Sequence, residues 1–89
     1  MNQKQIYKTV SDFLKNRKYV FTRINKDLQK QQIIFKAENY LNYLAVPDHN
    51  SFKNNCKRFA NDFIAPLIPS ENSKLYNHAK DLYNQLINQ

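Results

Sequence analysis

The chain has no glycine and no tryptophan, a single cysteine and three prolines. Each shortage removes something. Without glycine, no phosphate-cradling loop of the P-loop or dinucleotide type can form, because the backbone there approaches its ligand too closely for any Cβ. Tight two-residue hairpins become harder as well, although Asn can replace Gly at positive φ. One cysteine makes no internal disulfide, which excludes a disulfide-stapled secreted scaffold. No apolar run is long enough to span a bilayer, and the opening MNQKQIYK lacks the apolar core of a signal peptide. A cytoplasmic location is the expectation that follows.

Acids are also scarce. Seven stand against 14 Lys and Arg, for a formal net charge of +7. No two of them lie three or four residues apart, so no helix face offers paired carboxylates for acid/base work or for a shared metal. His49, Cys56 and His78 match no zinc-ligand spacing. Ser51, Ser70 and Ser73 read as helix caps. No catalytic residue, metal or cofactor is therefore expected, and the chain is read as a non-enzyme.

What is present is helical periodicity. The 89 residues, 42% hydrophobic and 24% charged, suit one helical domain over residues 1–89 with a modest core. Ile6, Val10, Phe13 and Leu14 predict an amphipathic helix from about Gln3 to Asn16. From Ile33 to Val46, a stripe of Ile34, Ala37, Leu41, Leu44 and Ala45 is widened by Tyr40 and Tyr43, and Pro47 ends it. Asn50 or Ser51 then caps a helix carrying Phe52, Cys56, Phe59, Ala60, Phe63 and Ile64, which stops around Pro66. Cys56 shares that stripe and reads as a small core hydrophobe. Ser70 or Asn72 caps a last helix with Leu75, Ala79, Leu82 and Leu86 on one face and Tyr76, Tyr83 and Ile87 beside it. The expected fold is an all-α bundle of four or five amphipathic helices.

One segment is ambiguous. Tyr19, Val20, Phe21, Thr22 and Ile24 all favour strands, so a hairpin of Tyr19–Ile24 with Ile33–Lys36 gives an α+β alternative over about residues 19–36. The connection holds no glycine or proline, and Phe21, Ile24, Leu28 and Phe35 fall near one helical face, which favours helix. That helix runs from about Lys18 to Val46, or breaks near Gln31–Ile33.

Charge is uneven along the chain. Residues 1–46 hold nine of the 14 basic side chains and three of the seven acids. The densest stretch, KNRKYVFTRINKDLQKQ, sets Tyr19 and Phe21 among six basic residues. Arg17 and Arg23 can fork onto phosphates, and Lys15, Lys18, Lys26 and Lys30 add point charge. Tyr19, if exposed, can stack on a base. A solvated helix face has the same composition. The leading expectation is a non-catalytic regulatory or accessory protein that contacts nucleic acid through Lys15, Arg17, Lys18, Tyr19, Arg23, Lys26 and Lys30. No helix-turn-helix signature marks it as a sequence-specific reader. An acidic protein or an anionic membrane surface would answer the same charge.

The alternative is a protein-interaction module: a small inhibitor, or a subunit of a larger assembly. In length, basic charge and helix count the chain resembles the four-helix immunity proteins that protect bacteriocin producers. The resemblance is one of architecture, and no site residue follows from it. A continuous basic face with exposed Tyr19 or Phe21 favours nucleic acid, whereas a flat apolar or Tyr-rich face favours a protein partner.

Overall fold

The first helix begins at a reciprocal cap. The Gln5 N–H donates to Asn2 Oδ1 at 2.8 Å, and the Asn2 N–H donates to Gln5 Oε1 at 3.0 Å. This is a capping box with amide side chains in both roles. The computed structural model describes residues 2–20, 28–45, 48–68 and 74–89. Among them are four α-helices and no strand: α1 Gln3–Val20, α2 Leu28–Asn39, α3 His49–Phe59 and α4 Lys74–Ile87. The all-α bundle expected from periodicity is what forms.

The hairpin alternative does not form where it can be seen. Ile33–Lys36 lies inside α2, and Tyr19 and Val20 close α1; residues 21–27 lie outside the described set. α1 extends four residues past Asn16, because Arg17 and Lys18 are good helix formers and nothing in that stretch breaks the ladder. No break occurs at Gln31–Ile33, which is helical. The helix instead ends at Asn39.

That ending is a change of winding. The Tyr40 N–H is shared between the carbonyls of Lys36 at 3.2 Å and Ala37 at 3.1 Å, and the Tyr43 N–H reaches back to Tyr40 at 3.1 Å. The chain tightens into a 3₁₀ segment, Leu41–Ala45. Three residues per turn stack Leu41 over Leu44 on the core side, and both are buried. The same winding turns Ala45, expected on the stripe, out to solvent.

α3 is capped by Asp48, two to three residues ahead of the expected Asn50 or Ser51. Asp48 Oδ2 accepts from the Ser51 N–H at 3.3 Å and from the Ser51 hydroxyl at 2.7 Å. Its far end is irregular too. Ala60–Ile64 is a π-helical turn in which the Ala65 N–H bonds the Ala60 carbonyl, and a 3₁₀ turn, Ala65–Leu67, follows. Pro66 accounts for this. It has no N–H for the Asp62 carbonyl and its ring crowds that oxygen, so the last turns cannot stay α-helical. The expected caps of α4, Ser70 and Asn72, lie outside the described residues.

One core joins all four helices. Ile6, Val10 and Leu14 of α1 meet Ile34 and Ala37 of α2, Phe52, Cys56 and Phe59 of α3, and Leu82 and Leu86 of α4. No polar side chain among the described residues is buried with them. The Cys56 thiol lies wholly inside, and desolvation pushes its pKa up to about 11. It is therefore a poor nucleophile, as its place on the stripe implied.

Candidate functional site

The two irregular segments meet at the surface and make a cleft between them. Because the winding after Asn39 is close to three residues per turn, Tyr40 and Tyr43 come one above the other on the outer side. Their rings stack with centroids 5.4 Å apart. The π turn keeps Phe59 and Ile64 in the core and moves Phe63, expected on the buried stripe, to its half-buried edge. Phe63 then stacks on Tyr40 at 5.4 Å and tilts against Phe59 at 5.0 Å. Four rings therefore run in a line from the core to the water. The outer two, Tyr40 and Tyr43, remain 44% and 55% exposed.

Beside them opens a cleft of about 350 Å³, lined by Tyr40, Tyr43, Asn55, Arg58, Phe59, Asp62 and Phe63. Its size falls in the range of pockets that take a side chain or a small ligand. Asn55 Nδ2 donates to the Tyr43 carbonyl at 2.8 Å, which ties α3 to the 3₁₀ segment and holds the walls together. Arg58 and Asp62, both exposed, stand one helical turn apart at the mouth. Behind the cleft, the Tyr83 hydroxyl donates to Asn61 Oδ1 at 2.7 Å and pins α4 to the π turn. The arrangement offers an aromatic wall, a cation and an anion.

The residues expected to grip a polyanion fare differently from one another. Lys15 is exposed on the outer side of α1. Lys18 is exposed but lies 3.9 Å from Glu38, an ion pair of small energetic weight at the surface. Lys30 is half-buried in α2. Tyr19 falls in the last turn of α1 and its side chain lies outside the described set, as do Arg23 and Lys26 entirely.

Arg17 is placed differently from Lys15 and Lys18. It stands four residues after Phe13 and seven after Val10, and so belongs to the apolar stripe, not to the solvent side. Its guanidinium lies 5.5 Å from the Phe13 ring centre, a cation–π contact, with Nε and Nη1 shielded from water and without hydrogen-bond partners. Desolvation lowers its pKa below the ordinary value. An Arg folded down in this way cannot fork onto a phosphate without first moving out.

Among the described residues, Lys4, Lys8 and Lys15 are exposed and in line on the face of α1 opposite Ile6, Val10 and Leu14. Arg58 and Asp62 were missed as site residues, because each read alone is an ordinary helix-surface charge. The available signal was Tyr40 and Tyr43 three residues apart ahead of Pro47.

Among the described residues no group of three or more His, Cys, Asp and Glu is placed to hold a metal ion, and no helix is long and apolar enough to cross a membrane. No known protein family, curated protein or solved structure matches the chain.

Proposed function

We propose that the chain is a non-catalytic protein-interaction module whose cleft receives an apolar or aromatic side chain from an acidic protein partner. The observation that carries this reading is the stack of exposed Tyr40 and Tyr43 on half-buried Phe63, beside Arg58. Tyr and Arg are the residue types that most often anchor protein interfaces, and rigid stacked rings lose little entropy on binding. The net charge of +7 favours an acidic partner, and at the mouth Arg58 can pair with a carboxylate of that partner while Asp62 beside it accepts a hydrogen bond. Affinity capture of partners from the native host, with wild type, Tyr43→Ala and Arg58→Glu run side by side, tests it. Each substitution is expected to weaken the same nuclease-resistant complex by at least about tenfold while the fold persists. Unchanged capture by both variants removes the cleft from the interface.

A second reading rests on the exposed ridge of Lys4, Lys8 and Lys15, which suits a nucleic-acid backbone. Replacing all three by Gln should then flatten the log–log salt dependence of oligonucleotide binding by about 2–3 units. Absence of binding by wild type at low salt ends that reading.

A further inference from the structure

Leu28 and Phe35 are the most exposed large apolar side chains among the described residues, at 71% and 61%. They stand seven residues apart on α2, two turns and about 10 Å along one face. Ile34 and Ala37 bury the other side of the same helix, so core packing does not explain them. A groove of about 410 Å³ is lined by Leu28, Gln31, Gln32, Phe35 and Lys36 of α2 and by Lys18 of α1. Lys15 is exposed nearly one turn before Lys18. Lys18 lies 3.9 Å from Glu38, which offsets one positive charge; Lys36 at the groove and the exposed Lys15 nearby keep its surroundings net cationic.

Two bulky apolar tips surrounded by long cationic side chains narrow the choice of occupant. A second copy of the chain would bring the same lysines against one another. A nucleic acid would use the lysines but leave Leu28, which has no ring to stack, in water. An anionic bilayer uses both: apolar side chains enter the acyl boundary while lysine stems lie along it and their ammonium groups stay among the phosphates. We infer that the Leu28–Phe35 face docks on anionic phospholipid, with Leu28 and Phe35 inserted and Lys15, Lys18 and Lys36 at headgroup level. This contact lies apart from the Tyr40–Phe63 cleft and does not depend on it.

The probe is a set of phosphatidylcholine vesicles with and without about one-third phosphatidylglycerol. The full chain should float with the anionic vesicles and not with the zwitterionic ones, and should release as salt rises. Leu28→Ser with Phe35→Ser should lower the bound fraction at least about tenfold, and Lys18→Gln with Lys36→Gln should weaken the preference for anionic lipid. Tyr43→Ala should float as wild type does, which separates this surface from the cleft. Because the protein has no tryptophan, Phe35→Trp supplies a single indole that can be excited apart from the six tyrosines, and its emission should shift to the blue on anionic vesicles. An emission unchanged by anionic vesicles, or a double-serine variant that floats as well as wild type, overturns the proposal. So does a patch substitution that abolishes self-association or protein capture while leaving flotation intact.

Discussion

α1 and the run from Tyr40 to Leu67 treat large apolar residues in opposite ways. α1 holds 18 residues in regular α geometry. Its period sorts side chains by type, with Ile6, Val10 and Leu14 inside and Lys4, Lys8 and Lys15 outside. The surface that results is a plain charged ridge. Between Tyr40 and Ile64 the described residues leave α geometry by tightening at Leu41–Ala45 and by widening at Ala60–Ile64. Each departure carries aromatic rings off the buried stripe, and the space between them becomes a cleft. In α1 regular winding hides the large aliphatic residues, and after Asn39 and Phe59 changes of winding present aromatic rings, whereas Leu28 and Phe35 are exposed on the regular helix α2. π turns recur at functional sites for this kind of reason.

Core and cleft share one ring at Phe59. Phe59 is 3% exposed, and Phe59→Ala should cost about 3–5 kcal/mol in denaturant unfolding. That is a large part of a small domain's stability. Tyr43→Ala, at the solvent end of the same line of rings, should cost less than about 1 kcal/mol. Equal costs would mean that the line of rings acts as one core and that its outer end is not a surface.

A smaller effect probes the buried side of α3. With the Cys56 thiol pushed from an ordinary 9.0 up to about 11, the folded state holds its proton over a range in which the unfolded chain has lost it. Stability is therefore undiminished below about pH 9 and falls as pH rises from there toward about 11. Cys56→Ala should flatten that decline. At pH 8 the native thiol should react with a thiol reagent about a hundredfold more slowly than the unfolded chain, from the thiolate fraction alone.

The smallest expected change is at Arg17. Two of its nitrogens are shielded and unpartnered, so Arg17→Met keeps the packing on Phe13 and removes an unmet polar demand. It should leave stability unchanged or raise it by up to about 1 kcal/mol. A clear loss would show that the cation–π contact outweighs the desolvation.

These sites also mark how far the sequence could be read. Helix type was legible wherever apolar residues recurred without interruption, as in Ile6, Val10 and Leu14 or Ala79, Leu82 and Leu86. The change of winding at Tyr40 was not, because Ile34, Ala37, Leu41 and Leu44, spaced three, four and three, suit an α-helix and a 3₁₀ segment alike. Pro66 was read as a stop, although its effect reaches back to Ala60 through the hydrogen bond that it cannot make. The half-buried place of Arg17 was legible from its distance to Val10 and Phe13, but its charge drew the residue to the outside. The cleft depends on two breaks twenty residues apart meeting in space, and no local pattern encodes that meeting.

The most direct test of the cleft as the site of partner contact is photo-crosslinking in living cells, with p-benzoyl-phenylalanine in place of Tyr43 and, in a parallel protein, in place of Lys8. The account predicts a discrete protein adduct at position 43 that disappears when Arg58→Glu is added, and no such adduct at position 8. A protein adduct at position 8 with none at 43, or a position-43 adduct that ignores Arg58→Glu, would contradict it.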